Sequence, residues 1–304
     1  MNERDWLIIR TLYKNKNITK TAKELFISQP SLTARIQNIE KHFDAKLIHR
    51  GTGGVQFTAE GEFVAHKASE ILETLRGVKE QVAQMSSDNK GVLRIAGANY
   101  IIKNKLPYLL GLFKEKYPNV EFEVRTAWSR EVINLLHTKE IHVGFVRSDY
   151  GWSGCKTVLQ EERLCVAFKK PFELKDLPKL SRIDYQTDYI YRLFLDSWWA
   201  DNYKEPPKIS IHVNYMDICR DMVQHGVGYA IVPETLLYGL DNIHKVFVKD
   251  KEDKEIYRPT IMLYEEEMNN IKLVKLFVEF AQSLDYSVDK ICKSAKTSDL
   301  LLKK

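Results

Sequence analysis

The sequence predicts an α/β protein made of a helical N-terminal part, one long helix, and a larger region in which strands and helices alternate. Three observations carry this prediction. Apolar residues recur at helical spacing through residues 6–39, one apolar seam runs along residues 58–85, and short apolar strands alternate with amphipathic stretches beyond residue 91. Such alternation is typical of parallel sheets covered by helices on both faces.

Composition and charge narrow the class of protein. The chain has 304 residues, 44% of them hydrophobic, which suffices for two or three domains with their own cores. No apolar run approaches about 18 residues, and the N-terminal MNERDW is not a basic stub before an apolar stretch, so we expect a cytoplasmic protein. The net charge of +5 lies entirely in residues 1–58, with ten Lys and Arg against five Asp and Glu. A basic head suits phosphate contact, although a solvated basic face has the same composition.

Residues 19–39 predict two short helices joined by a tight turn. Apolar side chains share one face of each helix: Ala22, Leu25 and Phe26 in the first, and Leu32, Ile36 and Ile39 in the second. Ser28 fits the N-cap of the second helix, which then starts near Gln29 and tolerates Pro30 in its first turn. An earlier helix with Trp6, Ile9, Leu12 and Tyr13 completes a three-helix unit. Its third helix can enter a DNA major groove by its N-terminus. The alternative is an ordinary three-helix unit without nucleic acid.

At these residues the chain resembles the LysR-type family of bacterial transcription regulators, over residues 1 to about 284. The most specific marks are Ala22, the SQPSL run at residues 28–32, Ile36, Glu40, Leu47, Arg50, Thr58 and Gly61. The pattern and the resemblance together predict contacts with double-stranded promoter DNA from Thr19, Lys20, Ser28, Gln29, Pro30, Ser31, Thr33, Arg35 and Arg50. RNA polymerase is a further expected partner of such a regulator.

A wing is expected after the third helix, so that residues 1–58 form a winged helix-turn-helix domain. The KLIHRGTGGVQFT segment predicts two short strands, with Gly51, Gly53 and Gly54 supplying the turn. Many relatives place an Arg near the wing tip, where this chain has Gly53. Ala34 likewise stands where the family often has a basic residue, so the phosphate contacts are expected to be rearranged.

The long helix predicts self-association. Val64, Ala68, Ile71, Leu75, Val78, Val82 and Met85 alternate spacings of four and three. Such a heptad seam is usually buried in a two-stranded coiled coil, so residues 59–88 are assigned as a linker and dimerisation helix of a homodimer or homotetramer. Packing on the chain's own next domain is the alternative, but SSDNKG at residues 86–91 is typical of a hinge. A dimer would bind a roughly palindromic site.

Residues 91–288 are assigned as an effector-binding domain. Residues 92–98, 120–126, 141–146, 164–169, 209–214, 228–233 and 258–264 are predicted strands, and residues 106–116, 129–136, 217–225 and 273–284 are predicted helices. The resemblance implies two α/β lobes around a cleft, as in a periplasmic solute-binding protein. Lobe one would hold residues 91–161 and 262–288, and lobe two residues 162–261. The C-terminal tail, residues 289–304, has no role that its sequence indicates.

The cleft residues follow from strand ends, because ligands bind outside the carboxyl ends of parallel strands. The predicted effector contacts are Asn99, Tyr100, Trp128, Ser129, Arg147, Gly226 and Arg258. Arg147 and Arg258 can hold a carboxylate or phosphate with two guanidinium forks, so a small anionic effector is expected. Together with the AIVPE and IDYQTD segments, this pair is similar to the citrate-responsive catabolite-control branch of the family, which makes citrate the first candidate. A surface salt bridge is the alternative for either arginine.

Several other classes of chemistry are disfavoured. Cys155, Cys165, Cys219 and Cys292 have no CxxC pairing and no His at metal-ligand spacing, so neither a disulfide framework nor a zinc site is expected. The chain shows no nucleophile elbow and no complete phosphate loop, so neither an enzyme nor a cofactor is predicted. A cysteine-based redox-sensing regulator and a cytoplasmic solute-binding protein remain as alternatives.

Overall fold

A computed structural model describes residues 1–51, 54–85 and 90–287 of the chain. The predicted wing-tip Gly53, most of the predicted hinge, Cys292 and the C-terminal tail lie outside these residues, as does the side chain of Met85. The chain divides into two compact units, residues 1–87 with 138–140, and the remainder. None of the described helices is long and apolar enough to cross a membrane.

Among its described residues, the first unit contains four helices and a two-stranded hairpin. In chain order these are α1 (Glu3–Asn15), α2 (Ile18–Glu24), α3 (Gln29–Phe43), β1 (Ile48–Gly51), β2 (Gly54–Phe57) and α4 (Ala59–Met85). The Asn17 and Ser28 side chains cap α2 and α3, and Asn2 forms a capping box with Asp5 at the start of α1. Ile8, Ile9, Leu12, Leu32, Ile36, Leu47, Val55, Val64 and Ala68 form the core of this unit.

Glu40 fixes the start of the wing. Its buried carboxylate accepts hydrogen bonds from the backbone N–H groups of Leu47 (3.0 Å) and Ile48 (3.3 Å) and from Lys46 Nζ (2.9 Å). Burial by itself would raise the pKa of Glu40, but these hydrogen bonds and the charge of Lys46 outweigh it and lower the pKa. Glu40 therefore stays ionised and joins the end of α3 to the hairpin.

Phe26 departs from the prediction. It does not share the buried face of α2, because that helix ends at Glu24 and Phe26 takes a left-handed backbone conformation with φ of 53°. Its side chain is 95% exposed, and Leu25 and Ile27 contact the core instead. The tight turn between α2 and α3 thus puts an aromatic ring in solvent at a position where glycine or asparagine is usually favoured.

The seam of α4 is divided between two environments. Val64 and Ala68 are buried in the core of their own unit, and Ile71 is half-buried. Further along, Leu75, Val78 and Val82 are exposed. These three seam side chains are therefore left without cover among the described residues.

The second unit contains nine strands and six α-helices among its described residues. Its elements are β3 (Gly91–Gly97), α5 (Asn99–Asn104), α6 (Leu106–Lys116), β4 (Val120–Thr126), α7 (Ser129–His137), β5 (Val143–Val146), β6 (Cys155–Phe168), β7 (Arg182–Tyr185), α8 (Tyr189–Asn202), β8 (Ile209–Val213), α9 (Met216–Gln224), β9 (Ala230–Pro233), β10 (His244–Phe247), β11 (Tyr257–Tyr264) and α10 (Lys272–Ser283). All seven predicted strands and four predicted helices are present, whereas α5, α8, β7 and β10 were not predicted.

The sheets are mixed rather than purely parallel. In lobe one, β3 pairs in parallel with β4 and β5, and in lobe two, β7 pairs in parallel with β8. The long strands β6 and β11 pair antiparallel to each other and run through both lobes, and β9 and β10 flank β6 in lobe two. The register of this two-stranded ribbon shifts between Thr260 and Ile261, beside the predicted lobe boundary. Because the chain crosses between the lobes once in each direction, its two crossing strands are antiparallel. The alternation of strands and helices in the sequence did not reveal this antiparallel pair.

Candidate nucleic-acid interface and effector cleft

The first turn of α3 is exposed and held in place by its neighbours. Ser28 Oγ accepts a hydrogen bond from the backbone N–H of Ser31 (3.3 Å), and Gln29, Pro30 and Ser31 are exposed. Thr19 Oγ1, at the start of α2, donates to Gln29 Oε1 (3.3 Å). The Gln29 amide is thereby partly oriented before any nucleic acid is bound.

The wing and α3 share a surface. Arg50 on β1 donates from Nη1 to Thr33 Oγ1 on α3 at 3.4 Å. Lys20 is exposed on α2, and its backbone N–H donates to the capping side chain of Asn17 at 2.8 Å. The structure thus joins Thr19 to Gln29 and Thr33 to Arg50 by direct contacts, and it leaves the Lys20 side chain in solvent.

Arg35 is the exception among the predicted DNA contacts. Its guanidinium turns towards the start of α1, where Nε donates to Asp5 Oδ1 (3.0 Å) and Nη2 to Asn2 Oδ1 (3.3 Å). The sequence-based assignment overlooked the acidic first turn of α1 as a competing partner. Gln37, one turn beyond Thr33 and exposed, was not assigned, although its helical spacing could have indicated it.

The second unit contains a partly open cleft with a cavity volume of about 60 Å³. Six of the seven predicted effector residues line it: Asn99, Tyr100, Trp128, Ser129, Arg147 and Arg258. Asn99, Ser129 and Arg147 follow the carboxyl ends of the parallel strands β3, β4 and β5, which meet at one edge of the sheet.

Gly226 does not line this cleft. It follows the C-terminal end of α9 with φ of +72°, a left-handed conformation suited to glycine, whereas Met216 and Asp217 at the opposite end of α9 line the cleft. Gly226 precedes β9 and therefore lies at the amino end of a strand, whereas the cleft lies at carboxyl ends of strands.

Lobe two contributes cleft residues that sequence reasoning did not assign. These are Tyr185, Gln186, Thr187, Asp188, Asn214, Tyr215, Met216 and Asp217. They lie at or just beyond the carboxyl ends of β7 and β8. If residues 182–185 had been recognised as a strand, the residues from Tyr185 to Asp188 would have been predicted, because they lie at the carboxyl end of that strand as Arg147 does at the end of β5.

Arg147 is buried against the cleft with one half of its guanidinium occupied. Nη1 donates to Glu162 Oε2 at 2.6 Å, and the guanidinium lies 4.7 Å from the centre of the Tyr100 ring. Nε and Nη2 are buried and have no hydrogen-bond partner among the described residues. Burial lowers the pKa of Arg147, but the Glu162 carboxylate outweighs it, so the net pKa is raised.

Glu162 lies on β6 opposite Arg258 in the register of the crossing ribbon. Its side chain has no exposed surface, and its carboxylate also accepts from the Tyr100 hydroxyl (2.7 Å) and from Thr235, with Lys105 Nζ at 3.1 Å. Burial would raise the pKa of Glu162, but Arg147 and Lys105 hold it at about 2. Glu162 was missed because it stands in a charged run, QEER, that is typical of a solvent-exposed face.

Arg258 is the second buried guanidinium of the cleft. Nη2 donates to Asp188 Oδ2 at 3.2 Å, and the group lies 3.5 Å from the centre of the Tyr191 ring. Its Nε is buried without a partner in the described part of the chain. Burial lowers the pKa of Arg258, and the positive charge of Arg147 lowers it further. Neither arginine is therefore a surface salt bridge.

Two of the described cysteines are poorly suited to redox chemistry. Cys165 and Cys219 are buried, and burial raises the pKa of each thiol to about 12, which suppresses the reactive thiolate. Among the residues that the structure describes, no group of three His, Cys, Asp or Glu side chains could hold a metal ion.

Comparison with known proteins identifies the family. Residues 4–62 match the model of the bacterial regulatory helix-turn-helix protein, lysR family, and residues 86–285 match the LysR substrate binding domain. The uncharacterized HTH-type transcriptional regulator YraN of Bacillus subtilis (strain 168) is 36% identical over 280 residues, covering 92% of this chain and 97% of the relative. The uncharacterized HTH-type regulator YkuM of the same organism is 30% identical over 275 residues, covering 90% and 94%.

The fold has also been seen in solved structures. Full-length CbnR complexed with its target DNA matches with a TM-score of 0.64 and 20% identity, covering 92% of this chain and 98% of that one. This likeness confirms the predicted fold class. The relatives are described as transcriptional regulators rather than enzymes, and none of these three descriptions mentions citrate. The chain belongs to the LysR family, and it is a DNA-binding transcriptional regulator.

Proposed function

We propose that this regulator is controlled by a small carboxylate bound in the cleft of its second unit, between Arg147 and Arg258. One observation carries the proposal. Two buried guanidinium groups line the same cleft, and three of their N–H-bearing nitrogens lack a partner among the described residues. An unsatisfied buried donor costs free energy, which a bound anion would recover.

On the DNA side, we propose that the exposed first turn of α3 enters a major groove. Gln29, Ser31 and Thr33 would contact base edges or nearby phosphates, while Thr19, Lys20 and Arg50 would contact phosphates. Ser28 and Pro30 shape the start of the helix. CbnR, which shares the fold, has been solved with its target DNA. Acting on a promoter would place the protein in the cytoplasm.

We propose further that the chain works as a homodimer or a pair of dimers. Leu75, Val78 and Val82 are exposed on one seam of α4, and pairing with a second copy would bury them. Two α3 helices would then read a roughly palindromic site. Contact with RNA polymerase is a family-based expectation for such a complex. The effector would act by its different affinities for two lobe arrangements.

Calorimetry with a metabolite panel that includes citrate tests the effector proposal. Arg147→Lys and Arg258→Lys keep the positive charge but remove the planar fork, so we expect each to weaken binding by about tenfold or more. Arg163→Lys is the matched control, because Arg163 is half-exposed and pairs with Glu234 outside the cleft lining. Unchanged binding in both cleft variants would rule out this site.

A salt-titrated binding assay on the gene's own upstream DNA tests the DNA proposal. Gln29→Ala should reduce the preference for this DNA over a scrambled duplex. Lys20→Ala should weaken binding to both duplexes alike and lower the salt dependence. Equal binding of the wild-type protein to both duplexes at physiological ionic strength would contradict the proposal.

A further inference from the structure

The cleft has one unit of positive charge to offer a ligand. The charged side chains that line it, taken with their ion-pair partners, are Arg147, Arg258, Lys105, Lys103, Glu162, Asp188 and Asp217. Four cations thus stand against three carboxylates. Lys103 is 62% exposed, so solvent screens its charge, but the other six groups are buried or nearly so. Their charges are weakly screened, and their balance bears directly on which anions can enter.

Arg147 presents a single free binding edge. Its Nη1 is committed to Glu162, and the two nitrogens without a partner, Nε and Nη2, lie on the opposite edge of the planar guanidinium. That edge matches one carboxylate in a bidentate arrangement. Glu162 occupies the other half of the fork and is itself held by Lys105, Tyr100 and Thr235, so it cannot swing away without breaking its contacts with all three.

A second carboxylate on the ligand would meet two cleft carboxylates, Asp188 and Asp217, as well as Arg258. Arg258 is partly neutralised by Asp188, which lines the cleft. Asp217, at the start of helix α9, also lines the cleft. Its carboxylate pairs with Lys103 Nζ (3.0 Å) and accepts a hydrogen bond from Asn104 Nδ2 (3.3 Å). Like charges in such a confined space are costly. The rest of the lining includes Trp128, Tyr215 and Met216, which suit an apolar body.

We propose that the effector is a monocarboxylate with an apolar body, and that Glu162 sets this limit by occupying half of Arg147 and offsetting one of the cleft's cations. The inference rests on the proposed effector function and specifies its ligand class. Glu162 is a positioning and specificity-determining residue, since it acts on the ligand through Arg147.

Matched pairs of carboxylates test the ligand class on the full-length wild-type protein. Calorimetry would compare monomethyl succinate with succinate, and 3-phenylpropionate with 3-(4-carboxyphenyl)propionate, with citrate as a trianion. We expect the monoanion of each pair to bind about tenfold more tightly than its dianion. Equal or tighter binding of the dianions or of citrate would overturn the monocarboxylate assignment. If the binding of dianions were lost in Arg147→Lys, the proposed effector site would still stand. If no carboxylate bound at all, both the proposed effector site and the monocarboxylate assignment would be overturned.

Glu162→Gln tests the role of the buried carboxylate. Removing one negative charge beside Arg147 should shift the dianion-to-monoanion affinity ratio by about tenfold towards dianions. Glu161→Gln is the matched control, because it makes the same substitution one residue earlier at an exposed position and should leave the ratio unchanged. An unchanged ratio in folded Glu162→Gln, checked by circular dichroism, would overturn the role of Glu162. If this variant does not fold, the double variant Lys105→Gln/Glu162→Gln provides the second measurement, because it removes one charge of each sign and preserves the net charge. We expect the double variant to keep the wild-type affinity ratio. A shift of its ratio towards dianions would contradict the charge argument.

Discussion

Arg35 on the recognition helix α3 is tied to Asp5 on α1, with Nε 3.0 Å from Oδ1. This contact links two helices, and Arg35 remains a predicted DNA contact that would have to leave Asp5 to read DNA. The same carboxylate of Asp5 completes the capping box of α1 with Asn2. One guanidinium therefore supports both the start of α1 and the orientation of α3.

Replacing Arg35 by Ala should affect stability more than DNA preference. The pair is partly exposed, so we expect the free energy of unfolding to fall by about 0.5–1 kcal/mol. Thr33→Ala is the comparison, because Thr33 contacts Arg50 of the wing and should affect site preference instead. Chemical denaturation and competition with scrambled DNA would measure the two effects. A loss of preference in Arg35→Ala as large as that in Thr33→Ala would show that Arg35 leaves Asp5 to read DNA.

Phe26→Asn should stabilise the first unit. Phe26 is almost fully exposed in a left-handed conformation, which asparagine adopts at a lower cost, so we expect the free energy of unfolding to rise by about 0.5–1 kcal/mol. Phe63→Asn is the control, since Phe63 is exposed but helical and asparagine is a poorer helix former. Thermal unfolding should therefore move in opposite directions for the two variants, and a decrease for Phe26→Asn would mean that the ring has a stabilising contact elsewhere.

Val78→Glu should weaken self-association. The residue lies on the exposed part of the α4 seam, where a charge would be buried in a coiled coil at high cost. Glu70→Lys changes the charge more strongly at an exposed position outside the seam, and should leave the oligomeric state unchanged. Analytical ultracentrifugation would distinguish these outcomes. A wild-type protein that is strictly monomeric, or a Val78→Glu variant that associates normally, would argue against the seam.

The pH dependence of stability should report the ionised state of Glu162. A carboxyl whose folded-state pKa is depressed adds stability above its unfolded-state pKa and loses it as the pH falls through the folded value. The advantage of wild type over Glu162→Gln should therefore be constant above about pH 4.5 and shrink by on the order of 3 kcal/mol towards pH 2. Urea denaturation of both proteins between pH 3 and 7 would measure the upper part of this pH-dependent loss of stability. An advantage that does not change with pH would contradict an ionised Glu162.

Cys165 and Cys219 should not react with peroxide in the folded protein. Cys165 and Cys219 have thiol pKa values raised to about 12 by burial, so the thiolate that reacts with oxidants is scarce at neutral pH. Mass-mapped alkylation of the native protein should leave both residues unmodified, and denatured protein should react fully. Rapid native labelling together with a peroxide-dependent change in DNA affinity would favour the redox-sensing alternative.

Local signals in the sequence were sufficient for much of the fold. The predicted helix at residues 106–116 coincides with α6, and Ser28 caps α3 as its position before Gln29 and Pro30 indicates. Strand ends also predicted that Asn99, Ser129 and Arg147 would share a cleft, because parallel strands bring their carboxyl ends together. Periodicity, caps and strand ends depend on residues close in the chain, so they can be recognised without the structure.

Other features were decided only by contacts between distant residues. Arg35 lies 30 positions from Asp5, and Glu162 reaches Arg147, Lys105 and Thr235 only because β6 runs through both lobes with Glu162 opposite Arg258. In the sequence, Arg35 was indistinguishable from a DNA-contacting arginine, and Glu162 from its exposed neighbour Glu161. The sequence by itself determined most helices, most strands and the family, whereas the tertiary structure decided which charges are buried and what they face. The physical reason is that burial and pairing of a charge depend on three-dimensional neighbours that local spacing does not specify.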